Sequence, residues 1–176
     1  PTDVAQSDLI VVWGANPTVS NSHLAPRIEA RGREGAKVVV IDPRRTPAAD
    51  RASRFLPVRP GTDVVLAMAA AAELERRGAV DRAFVDEHAE GVDEYLAACA
   101  EWTVERAADL CGLEPGDITG FADDLVAAEA PLLRVGWGME RNRNGGSAHR
   151  AALSLWVLAG AFGRPGAGVV GSTSPN

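Results

Sequence analysis

Apolar residues along the chain fall in short unbroken runs joined by stretches of helical spacing. Leu9-Ile-Val-Val-Trp13, Lys37-Val-Val-Val-Ile41 and Pro131-Leu-Leu-Arg-Val135 are continuous, as expected of parallel strands buried on both faces. Between the first two the pattern predicts a helix over about 22–34, ended by Gly35. Strand, helix and strand thus occupy the length of a right-handed βαβ unit. A short helix near 48–51 and a short strand over 54–58 follow. Arg59-Pro-Gly-Thr-Asp63 then opens an alanine-rich helix that runs to about Gly78, with Thr62 or Asp63 as its cap and Leu66, Ala70 and Leu74 on one stripe. From 81 to 130 the spacing predicts a helical insertion of three or four short helices, the clearest with Ile118, Phe121, Leu125 and Ala128 on one face. A last helix is predicted over 147–162, stopped by Gly163-Arg-Pro-Gly-Ala-Gly168, and the polar segment 171–176 adds no closing element. The pattern therefore predicts an α/β fold: a single three-layer, Rossmann-like domain over 1–176, with a mainly parallel sheet and a helical insertion.

Composition narrows the function classes. The 176 residues suffice for a substantial core, and 46% hydrophobic with 24% charged residues is a globular balance. A net charge of −6 argues against a nucleic-acid binder, which needs a basic surface. No run of eighteen apolar residues occurs, so direct membrane insertion is not expected. Cys99 and Cys111 lie too far apart for a CxxC motif, and Cys99 continues the apolar spacing of Val92 and Leu96, which predicts core packing. Lys37 is the only lysine. Arginine suits planar contacts with phosphate or carboxylate, although genome composition produces the same bias. Both ends look like cuts from a longer chain, so the lack of a leader leaves the compartment open.

The candidate chemistry sits where strands meet glycine-bearing turns. After the first strand comes Gly14-Ala-Asn-Pro-Thr-Val-Ser20, where Asn16 and Ser20 could surround a phosphate or could make ordinary turn and cap bonds. Asp42 follows the second strand about twenty-five residues later, the place of a ribose-binding carboxylate in dinucleotide folds, and equally that of a turn former before Pro43. Asp63 adds a second carboxylate if the third strand lies beside the second. It could accept paired hydrogen bonds from the N1–H and amine of guanine, or serve the helix start. After the later strand, Gly136 and Gly138 flank Trp137 without the third glycine of a dinucleotide fingerprint, which weakens a nicotinamide reading. Arg141 and Arg143, interleaved with Asn142, Asn144 and Gly145-Gly146 before the last helix, fit an anionic ligand or a solvated loop. No nucleophile with its base and no metal site is legible, and no catalysis is assigned to His23, His88 or His149.

Five segments in order carry a resemblance: Asp8-Leu-Ile-Val-Val-Trp-Gly-Ala-Asn-Pro17, Val40-Ile-Asp-Pro-Arg-Arg-Thr46, Arg59-Pro-Gly-Thr-Asp63, Gly136-Trp-Gly138 and Leu158-Ala-Gly-Ala-Phe-Gly-Arg-Pro-Gly-Ala-Gly-Val169. The chain resembles the molybdopterin-guanine-dinucleotide oxidoreductases, the family of formate dehydrogenases, nitrate reductases and dimethyl sulfoxide reductase. The resemblance implies a domain holding the guanosine and pyrophosphate of one cofactor. Gly14, Asn16 and Ser20 would contact the pyrophosphate, Asp42 and Arg44 the guanosine, and Asp63 the guanine edge, with Gly61 also among the cofactor-binding residues. Gly136, Trp137, Gly138 and Arg141 would line the pocket toward the pterin. Many relatives carry glutamine at the place of Arg141. The resemblance also implies that the molybdenum or tungsten ligand, any iron–sulfur cluster and a final cofactor-binding domain belong to other parts of the parent. Partners would be those remaining domains and an electron-transfer subunit, and the fragment alone would not turn over. Two other readings stay open: the central nucleotide-binding domain of a thiamine-diphosphate enzyme, which the Asp42-Pro-Arg turn and the Gly163-Arg-Pro-Gly run fit less well, and a non-catalytic scaffold.

Overall fold

In the computed structural model, which describes residues 3–171, the strands are β1 (Leu9–Trp13), β2 (Lys37–Ile41), β3 (Arg54–Leu56), β4 (Pro131–Val135) and β5 (Gly168–Val170). They form one sheet in the order β3-β2-β1-β4-β5, and every neighbouring pair is parallel. β1 is flanked on both sides, with Trp13 opposite Ile41 and Val135. Its side chains point alternately to two faces, and both faces are covered, which is why the run has no polar position. Leu9, Val11 and Trp13 enter one core; Ile10 and Val12 enter the other.

The helices are α1 (Pro17–Ser20), α2 (Ala25–Arg33), α3 (Pro47–Asp50), α4 (Asp63–Arg76), α5 (Arg82–His88), α6 (Val92–Cys99), α7 (Val104–Cys111), α8 (Pro115–Ala127) and α9 (Gly145–Leu158). α2 and α3 contribute Ile28 and Ala49 to the smaller core. α4 and α9 lie side by side on the other face, where Leu66, Ala70, Leu74, Ala152, Leu155 and Trp156 meet the sheet. The predicted insertion is the four-helix run α5–α8, packed on α4 and α9, and it places Cys99 and Cys111 in the larger core.

Several boundaries differ from the pattern-based expectation. The turn after β1 contains the single helical turn α1. α9 stops at Leu158, not at 162: Ala161 N–H donates to Trp156 O, Gly160 N–H donates to Val157 O, and Gly160 takes a φ of 59°. That pair of hydrogen bonds across a left-handed glycine terminates a helix even where apolar spacing continues. The glycine-rich run after it leads into β5, which pairs with β4 and makes the sheet wholly parallel. A strand of three residues opening on glycine has too little periodicity to be seen in sequence. Of the polar segment 171–176, positions 172–176 lie outside the described residues. Thr62 occupies the cap position of α4, but its hydroxyl donates to Arg59 O, and Asp63 directs its carboxylate elsewhere.

Candidate functional site

Strand order reverses between β1 and β4, and at such a point the loops leave the sheet in opposite directions and open a crevice at the carboxyl ends of the strands. Two adjoining hollows fill that crevice. One, of about 340 Å³, is lined by Gly14, Asn16, Asp42, Arg44, Asp63, Gly138 and Arg141, with Pro43, Val58, Pro60, Met139 and Asn142 completing it. The other, of about 430 Å³, is lined by Gly14, Asn16, Ser20, Arg44, Gly136, Trp137, Gly138 and Arg141, with Ala15, Val19 and Arg134. Gly14, Asn16, Arg44, Gly138 and Arg141 border both, so the two make one continuous cleft.

The glycines let its two floor loops touch. Gly14 N–H donates to Ile41 O, Gly136 N–H to Trp13 O and Gly138 N–H to Gly14 O, each at 2.9 Å. A Cβ on Gly136 would run into Gly14 O and Ala15, and one on Gly138 would lie 2.6 Å from Gly14 O. These three amides are engaged where the loops cross, and charged side chains also reach the cleft. Arg44 and Arg141 are exposed in the shared stretch. Asn16 accepts the Thr18 hydroxyl on Oδ1, and its Nδ2 donors are uncommitted among the described residues. Ser20, at the rim, donates its hydroxyl proton to Asn16 O.

The acidic end is built differently. β3 does lie beside β2, which brings the loop after β3 next to the loop after β2. Asp42 and Asp63 are 8% and 6% exposed, and both line the cleft. Asp42 Oδ1 accepts Arg44 N–H at 2.8 Å, so the turn-forming role and the cleft position coexist in one carboxylate. Burial raises its pKa, against the lowering by the Arg44 N–H and charge, and nearby Asp63 raises it further. Asp63 is the first residue of α4, and its Oδ1 accepts the indole N–H of Trp13 at 2.8 Å. Gly61 borders neither hollow. With a φ of 85°, it turns its carbonyl to Asn144 Nδ2 at 2.8 Å, tying the loop before α4 to the start of α9.

Sequence reasoning missed Arg134, Met139 and the Trp13–Asp63 bond, while Asn142, from the cluster before the last helix, does line the cleft. Arg134 is a buried arginine whose guanidinium bonds Val135 O and Val170 O, and burial alone lowers its pKa. A lone arginine inside an otherwise apolar strand was the available signal. Arg143 does not border the cleft; His149, in the first turns of α9, lies 3.5 Å from Glu140 Oε1, also outside it.

The family model described as molybdopterin oxidoreductase matches residues 2–174. Nitrate reductase of Klebsiella oxytoca is 30% identical over 168 residues, covering 94% of this chain and 19% of that protein. Formate dehydrogenase H of Escherichia coli (strain K12) is 29% identical over 167 residues, covering 95% of this chain and 23% of its own. Among solved structures, acetylene hydratase from Pelobacter acetylenicus superposes with a TM-score of 0.84 at 26% identity, over 92% of this chain and 22% of that one. The chain thus spans about a fifth of the length of these relatives.

Proposed function

The chain belongs to the molybdopterin oxidoreductase family, and from that premise we propose that its cleft holds the guanosine and pyrophosphate of a molybdopterin guanine dinucleotide, as one domain of a molybdenum- or tungsten-dependent oxidoreductase. The supporting observation is the order of chemistry along the cleft. Two buried carboxylates stand at one end, two arginines border its shared middle, and Trp137, 47% exposed, stands at the other. A guanosine brings N–H and hydroxyl donors to the carboxylates, a pyrophosphate brings charge to Arg44 and Arg141, and a flat ring system meets the indole. The family match sets the thiamine-diphosphate reading aside.

When bound, the cofactor supplies the redox-active metal centre. The residues of this chain bind and orient its nucleotide, with Asp42 toward the ribose and Asp63 toward the guanine edge. The names of the relatives include a dehydrogenase, a reductase and a hydratase. A domain common to all three is a poor place to select substrate, so we assign substrate choice and turnover to the rest of the parent and expect no oxidoreductase activity from this chain alone.

Calorimetric titration of the purified chain with GDP, against ADP and NAD, tests the reading. GDP should bind with about millimolar affinity, the strength expected of half a cofactor in half a pocket. ADP and NAD should bind more weakly, and Asp63→Ala should remove the difference. Equal binding of all three by the folded chain would overturn the guanine assignment.

A further inference from the structure

One polar bond in the larger core is not explained by packing. Trp13 ends β1 fully buried, with its ring edge-on to Phe121 at 6.1 Å between centroids. Its indole N–H is directed out of that core to Asp63 Oδ1, fifty residues along the chain, at 2.8 Å. A buried indole needs an acceptor, and a backbone carbonyl normally suffices, as Pro131 O does for Trp156 at 3.0 Å. Here the acceptor is instead a carboxylate that lines the cleft.

We propose that Trp13 is a positioning residue for base recognition: its indole N–H fixes the plane of the Asp63 carboxylate so that the oxygens facing the cleft meet the paired N1–H and N2 amine of a guanine. This inference rests on the guanine reading of the cleft. The physical requirement is geometric. Pairing with two parallel donors needs both oxygens in the plane of the base, whereas a single donor tolerates rotation about the Cβ–Cγ bond. Asp63 sits at the start of α4 with its backbone held by the helix, so the remaining freedom is rotation about its Cα–Cβ and Cβ–Cγ bonds. A hydrogen bond to one oxygen from a ring locked in the core removes it. The loop before Asp63 is fixed from the other side: Arg59 N–H donates to Cys111 O, and the Cys111 thiol lies 3.6 Å from Thr62 O. Carboxylate and backbone are thus set by different parts of the core.

The test compares GDP with IDP, whose hypoxanthine keeps N1–H and lacks the N2 amine. The wild-type chain should prefer GDP by roughly 10-fold, the scale of one hydrogen bond to a charged group. Trp13→Phe keeps an aromatic ring and removes the donor; it should reduce the preference to about 2-fold or less, mainly by weakening GDP. Phe121→Leu removes the ring against Trp13 and keeps the donor, so it should lower the melting temperature and retain the preference. In the wild-type chain, the assigned Trp13 indole N–H resonance should move further on saturation with GDP than with IDP, a readout available even if Trp13→Phe fails to fold. A folded Trp13→Phe that still prefers GDP, a Phe121→Leu that loses the preference, or an indole resonance indifferent to both ligands would overturn the role of Trp13 and leave the guanine reading standing. A wild-type chain that binds neither ligand, or both alike, would overturn the guanine reading and this inference with it.

Discussion

Asp42 combines two opposed influences in one side chain. Burial raises its pKa while Arg44 pulls it down, and burial is the larger effect. The native state therefore binds a proton there more tightly than the unfolded chain does. The ionised group costs stability above the raised pKa, and the cost is relieved as pH falls through it. A hydroxyl donor from a ligand favours the ionised form, so GDP affinity should weaken as pH falls through an acid limb lying above the ordinary aspartate range. Asp42→Asn should flatten that limb and weaken binding about 10-fold at neutral pH, measured by titrating both proteins across the same pH series. The two cysteines behave oppositely to a redox pair: burial pushes the Cys99 thiol up to about 11 and raises Cys111 as well. Ellman's reagent at pH 8 should label neither in the folded chain and both after unfolding in urea. Asp42 and Asp63 were legible in sequence because each borders a strand end or a helix start, where local spacing places it. The Trp13–Asp63 bond was not, because it joins positions fifty residues apart and leaves no spacing to read.

At the level of elements, one buried carboxylate adds a polar tie to the packing of the helical insertion on the frame. Asp124 on α8 accepts Lys37 Nζ at 2.6 Å and Arg54 Nε at 2.7 Å, joining the insertion to β2 and β3. The carboxylate is buried while Lys37 is half exposed and Arg54 is about a quarter exposed. Asp124→Ala frees two cations that can still reach water, so the loss should be about 2–3 kcal/mol in urea unfolding, not the larger figure for stranded charges. The only lysine of the chain thus has a structural place. Gly160 lies where the end of α9 meets the start of the insertion, beside the Asp81 N–H bond to Leu158 O. Its left-handed backbone ends α9, and a Cβ there would strike the carboxylate of Asp81, which accepts Phe84 N–H to cap α5. Gly160→Ala should cost about 2 kcal/mol by the same measurement, from the conformation alone. The central strands could be read from the sequence as unbroken apolar runs, and the long helices by their period, because burial on two faces or on one imposes those patterns. The end of α9 and the existence of β5 could not, since both are decided by glycine geometry and a three-residue pairing.

For the molecule as a whole, β1 is the axis: it has parallel neighbours on both sides and a core on each face. Native-state hydrogen exchange should find the slowest amides in Leu9–Trp13, opening only with global unfolding, and faster exchange in α5 and α6, which pack on one side only. Because all five strands run the same way, the loops that line the cleft leave from one rim of the sheet and the chain returns at the opposite rim. At that far rim Gly35 is exposed, takes a φ of 109° and has open space where a side chain would be. The two rims are therefore open to separate engineering. Substitutions at the far rim should leave the cleft unchanged, and a fluorescent reporter spliced in beside Gly35 would leave the opposite rim as it stands.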